Sequence, residues 1–121
     1  MGVNIEPERF EQLVQRAFDA LPKSLQLENL PILIDEEQLK PTGKPNEFIA
    51  GEYFGCTHKN LGWHECAVAK RVVVYKKAVE LGAHNEKEVL ASLVTLLAHE
   101  IGHALGFDEQ KLRELGVTLV P

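Results

Sequence analysis

One stretch limits this chain more than any other. From Asn85 to Gly106 the sequence runs without a proline, and its apolar residues recur at helical spacing. Asparagine is a favoured N-cap, and Glu88 three residues later completes a capping-box pattern. Gly106 supplies the residue that can turn left-handed and end a helix. A helix over 86–105 is therefore predicted, about 30 Å long at ~1.5 Å per residue. In a chain of 121 residues such a rod dominates a single small core. Leu90, Leu93, Val94, Leu97, Ile101, Ala104 and Leu105 fall on one side of it, which becomes the buried face.

His99 and His103 lie roughly opposite that face, in "LLAHEIGHALGFDEQ". Two bland readings compete with a functional one. A core histidine is disfavoured because both avoid the apolar stripe. A pair of solvated surface histidines leaves the intervening Glu100 unexplained. Histidines at i and i+4 project from successive turns and can share one cation. Glu100 sits ~100° around from His99, near the metal axis without being on it. Zinc lowers the pKa of a bound water towards ~7, and a carboxylate so placed can take the proton as attack begins. The trio thus predicts zinc as cofactor, with His99 and His103 as ligands and Glu100 as general base.

Two histidines are only half of a tetrahedral site. Eighteen residues follow His103, which leaves little room for a glutamate from a distant second helix. A glycine turn at Gly106 can bring the chain straight back, with Phe107 packing on the helix end. The extended spacing HExxHxxGxx places Glu109 at the ligand position, and Asp108, one residue short, is the fallback. "DEQKLRELG" then reads as a short terminal helix.

At these residues the sequence resembles a family. "HEIGHALGFDEQKLRELG" is similar to the C-terminus of the small bacterial zincin-like metallopeptidases, minimal domains with an acid at the final motif position. The likeness extends more weakly to an N-terminal helix ending in "LP", to "GEYFG" and to "RVVVYK". It implies an α+β minimal zincin-like domain whose small mixed sheet carries an N-terminal helix and a C-terminal active-site helix. It implies zinc held by His99, His103 and Glu109, Glu100 as catalytic base, and a peptide or protein substrate. The motif also resembles the HxxxHxxGxDH signature of bacterial endoribonucleases, matching His99, His103, Gly106 and Asp108. It departs from that signature at Glu109, where those enzymes have histidine, and at Glu100, where they usually have glycine. A non-catalytic metal-binding or interaction domain is the remaining alternative.

"CTHKNLGWHEC" is a departure from the family. Read as a hairpin turning at Asn60–Gly62, it sets Cys56 opposite Cys66 and His58 opposite His64, all four on one face. That set is a candidate for a second metal site or, through the two cysteines, a disulfide. A loop with no joint role is the bland reading. Trp63 could shield a site, Tyr53 and Tyr75 could stabilise an oxyanion, and His84 reads as solvated.

The remainder organises around this. Phe10, Leu13, Val14, Ala17, Phe18 and Leu21 predict an amphipathic helix over 7–21, opened by Pro7 and stopped by Pro22. "LPILIDE" reads as a short buried strand and 38–47 as a loop. "FIAGEYFG" reads as extended, with Gly51 and Gly55 as bends or bulges. "RVVVYK", the strongest strand candidate, is expected at the rim of the cleft, where an extended peptide could add as a strand. One domain over 1–121 is expected. Thirteen basic against eighteen acidic residues, a net charge of −5, argue against a nucleic-acid partner. No apolar run approaches the ~20 residues of a membrane span, and with no leader pattern the expectation is a cytoplasmic protein.

Overall fold

The computed structural model describes residues 2–56 and 69–115. His58, Trp63, His64 and Cys66 of the expected hairpin lie outside these residues. Helix α1 spans Pro7–Asp19, and a single 3-10 turn follows at Lys23–Leu25. Three strands come next, β1 (Ile32–Asp35), β2 (Gly51–Phe54) and β3 (Arg71–Tyr75). Then come helices α2 (Lys76–Leu81), α3 (Glu86–Ala104) and α4 (Glu109–Glu114). The architecture is α+β, with a small mixed sheet in the order β1-β3-β2. β3 pairs in parallel with β1 and antiparallel with β2.

The strand order follows from the side chains. Val72, Val73 and Val74 are β-branched and suit a pleated surface, and Val72 and Val74 are fully buried. β3 is thus the central strand and cannot be a rim, because both its edges are already paired. The expectation of a free edge at "RVVVYK" is corrected here: among the described residues the open edges belong to β1 and β2. β1 is also not wholly buried, since Leu33 is 48% exposed on it. A strand at a sheet edge with only one face covered keeps alternate residues in water.

Helices α1 and α3 pack on the same core. Phe10, Leu13, Val14 and Ala17 of α1 meet Val89, Leu93, Leu97, Ala98 and Ile101 of α3 with the sheet's Val72 and Val74. α1 ends at Asp19, two residues before the expected Leu21, although Leu21 is still buried. The α3 core face is turned slightly from the expected one: Val89, Ala98 and Gly102 are buried, while Leu90, Val94 and Leu105 are half-buried.

Both ends of α3 are held by local chemistry. Asn85 Oδ1 accepts from the Glu88 N–H at 2.9 Å. The Glu88 carboxylate reaches back one residue further than a capping box would, accepting from the His84 N–H at 2.9 Å. At the other end Phe107 N–H donates to Gly102 O (2.8 Å) and Gly106 N–H to His103 O (2.9 Å). That pair of bonds is a Schellman motif, and Gly106 takes the required positive φ of 79°.

Helix α2 was not expected. Its first and fifth residues, Lys76 and Glu80, form a buried ion pair (3.1 Å). Glu80 Oε2 also accepts from the Ile5 N–H at 2.6 Å, tying the N-terminal segment to the core. The loop between β1 and β2 closes on itself through Thr42 N–H to Glu47 O and Ile49 N–H to Lys40 O. No helix among the described residues is long and apolar enough to cross a membrane.

Candidate metal centre

The approach of α3 to the sheet is set by a missing side chain. A Cβ on Gly51 would lie 2.9 Å from Leu96 Cδ1 and 3.0 Å from Val73 O. Glycine here is therefore neither bend nor bulge but the point where the helix lies against β2. From that contact the two elements stay nearly in step. Four residues of helix advance about 6 Å, and two residues of strand about 6.8 Å. Leu96 on Gly51 therefore brings Glu100 to Tyr53.

The backbone of β2 prepares that meeting. Tyr75 N–H donates to Ala50 O, so Ala50 and Glu52 turn their backbone groups to β3. By alternation Gly51 and Tyr53 turn theirs to the open edge. The Tyr53 N–H lies close enough to the Glu100 carboxylate there to favour its charged form. Burial nevertheless dominates and pushes Glu100 up to about 7, with the nearby Glu52 charge raising it further and the Tyr53 N–H opposing both. A carboxyl near neutrality can both take and return a proton under ordinary conditions.

One turn apart on the same helix, the His99 and His103 rings lie edge to face with centroids 4.5 Å apart. Loss of solvent around the His103 ring, together with the neighbouring His99, holds His103 below its usual value, and Glu109 pulls the other way. A depressed histidine is the neutral form that binds a metal. Glu109 is thus within electrostatic reach of His103.

The two acids after α3 stand in different surroundings. Asp108 caps α4, its Oδ1 accepting from the Lys111 N–H at 2.8 Å. Its carboxylate is committed to the helix end. Glu109 stands in the first turn of α4, exposed, with only a loose contact to Arg113 at 3.9 Å. The structure brings the two histidines together and Glu109 near them. Among the described residues it does not gather three such side chains into a closed metal cage.

The tyrosines are used otherwise than expected. Tyr53 Oη donates to Cys56 O at 2.6 Å, and Tyr75 Oη donates to Glu52 Oε1 at 2.7 Å. Burial pushes both phenols up, and neither is turned out as a donor for an incoming oxyanion. Lys40 Nζ meets the same Glu52 oxygen at 2.9 Å and lies 4.9 Å from the Tyr75 ring centroid. The Tyr75 hydroxyl and Lys40 hold Glu52 below the usual carboxylate range. Of the hairpin set only Cys56 is described, and it is disulfide-bonded. His84 is exposed and meets Glu88 at 3.0 Å.

Sequence reasoning missed the Tyr53 N–H and the Lys40–Glu52–Tyr75 cluster, because both depend on strand pairing across distant residues. It also passed over Gly102. A glycine inside a helix costs ~1 kcal/mol against alanine and asks for a packing reason, which was a readable signal.

The family model described as zincin-like metallopeptidase matches residues 27–118, well over half of the chain. Among solved structures, the fold is similar to that of a conserved hypothetical protein from Thermo thermophilus. The TM-score is 0.62 at 20% sequence identity, over 84% of this chain and 94% of that one. At that identity the likeness speaks for the fold. No curated protein matches the chain.

Proposed function

The chain belongs to the zincin-like metallopeptidase family, and from that premise we propose that it hydrolyses peptide bonds with zinc held by His99, His103 and Glu109. The donor set suits the metal. Two neutral imidazoles and one carboxylate leave a position open for a substrate, as catalytic zinc requires. The 4.5 Å ring separation on successive turns supports a shared ion. When bound, zinc supplies Lewis-acid polarisation of the scissile carbonyl and makes water a nucleophile near neutral pH.

The chain's own residues do the rest. Glu100 takes the proton of the attacking water and returns it to the departing amine, so that one carboxyl serves both halves of the reaction. The edge of β2 beside it, open among the described residues, offers backbone groups to an extended peptide, which would be held across the helix by strand addition. This assigns to β2 the role that the sequence suggested for 71–76. The observation that carries the reading is the half-buried Glu100 carboxylate, next in sequence to the paired His99 ring and close to the Tyr53 backbone on that edge. A solvated surface glutamate has no such surroundings.

The test is zinc content by elemental mass spectrometry together with hydrolysis of casein. Wild type should hold one zinc lost with His103→Ala and should cleave casein. Glu100→Gln should keep the zinc and lose at least a hundredfold in rate, in line with general-base contributions of ~10²–10⁴. Zinc-loaded wild type without turnover would sink the peptidase reading and leave a metal-binding domain. Loss of zinc in Glu100→Gln would remove Glu100 from the role of base.

A further inference from the structure

At the sheet edge opposite β2, a groove of about 760 Å³ runs between α1 and β1. Its floor is apolar, built from Val14 and Phe18 on the helix and Ile32 and Ile34 on the strand. Its rim is acidic: Glu8 and Glu11 from α1 and Glu28 from the segment before β1. All three glutamates are exposed, and none joins an ion pair among the described residues.

The strand in this groove is half used. Val72 N–H donates to Pro31 O, and the parallel register sets Ile32 beside Val72. Pro31 and Leu33 therefore face β3, and the backbone groups of Ile32 and Ile34 point the other way. β1 pairs with β3 alone among the described strands. Ile32 and Ile34 thus present an apolar side chain to the groove and an unpaired peptide group to the edge. Open edges of this kind are templates for another strand.

The geometry points to a docking site for an extended peptide segment, paired to β1 as a fourth strand, whose groove-facing side chains are apolar at the centre and basic at the ends. Successive side chains of a strand point to opposite faces, so only one parity meets the groove. Central residues of that parity drop onto Val14, Phe18, Ile32 and Ile34. Lysine or arginine at the outer positions of that same parity reaches Glu8, Glu11 and Glu28 at the rim. A small molecule is a poorer occupant, since ligand pockets converge buried polar groups on the ligand and here the polar groups are an exposed rim and a strand edge. This site is independent of the peptidase reading and lies on the other edge of the sheet.

The experiment is fluorescence anisotropy on the intact chain with two labelled octapeptides, a Val-Lys peptide with Lys, Val, Val and Lys at successive positions of one parity and serine at the others, and a Val-Glu peptide with glutamate in place of both lysines. The Val-Lys peptide should bind at least tenfold more tightly and should weaken as salt rises. The triple variant Glu8→Gln/Glu11→Gln/Glu28→Gln replaces only exposed groups and should lose that preference. N-methylation of alternate amides in the Val-Lys peptide should abolish binding, because it blocks the ladder but keeps the charge. Equal affinity for both peptides, or binding indifferent to the triple variant, overturns the proposal and places any binding elsewhere, the β2 edge included. Full binding of the N-methylated peptide overturns strand addition in favour of a helical occupant. Sedimentation as a dimer whose groove excludes the peptide overturns it in favour of a second copy of this chain.

Discussion

Leu112 of α4 packs directly on the α-carbon of Gly102 in α3. A Cβ on Gly102 would lie 2.5 Å from Leu112 Cδ2 and 3.2 Å from Cγ, and Leu112 is fully buried. The glycine between Ile101 and His103 is what lets the last helix fold back, and that helix carries Glu109.

Gly102→Ala should therefore behave against helix propensity. Alanine gains ~1 kcal/mol within a helix, but overpacking typically costs ~1–3 kcal/mol, and here it displaces α4. Denaturant unfolding should show net destabilisation, and competition with a chelator should show zinc affinity at least tenfold weaker. Adding Leu112→Ala should recover part of both losses, because the two sites share one contact. Wild-type zinc affinity in Gly102→Ala would mean that α4 contributes no ligand.

The identity of the third ligand separates cleanly by substitution. Asp108→Asn should leave zinc affinity within about twofold, since asparagine caps a helix about as well as aspartate. Glu109→Gln should weaken zinc by at least tenfold with little change in stability, since its side chain is exposed and its contact to Arg113 is loose. The opposite result in a zinc titration would move the ligand to Asp108.

Glu100 makes an unusual contribution to stability in the metal-free chain. Its carboxyl is raised from 4.5 to about 7. Between these values the folded state holds a proton that the unfolded state has released. Stability attributable to this group therefore falls as pH rises from 4.5 to 7 and stays low above. Glu100→Gln should remove that fall. At pH 8 the metal-free variant should be more stable than wild type by up to ~2 kcal/mol, after allowing for the solvent that still reaches the group. Equal pH profiles for the two proteins would show that the carboxyl is not desolvated.

Glu52 has the opposite sign. The Tyr75 hydroxyl and Lys40 hold its carboxyl below 4.5. Its contribution is fully present above 4.5 and is lost as pH falls through the lower folded value. Glu52→Gln should flatten the acid limb of the stability curve below pH 4.5 and leave the curve above pH 7 parallel to that of wild type. An unchanged acid limb would mean that the cluster adds nothing in solution.

What could be read from the chain alone was whatever is settled within one helix or one turn. Asn85 and Gly106 bound α3, the i, i+4 histidines met, Pro7 opened α1 and Val72–Val74 made a strand, because each depends on neighbours a few residues away. Hydrophobic spacing likewise placed α3 against a core. Which edge of the sheet stayed open was not readable: β3 lost its expected free edge because two strands distant in sequence claimed both its sides. The approach of Glu100 to Tyr53 and the acid-rimmed groove beside β1 were decided by tertiary structure for the same reason. Each is a contact between elements, and its geometry exists only after Gly51 and Gly102 have set how closely those elements approach.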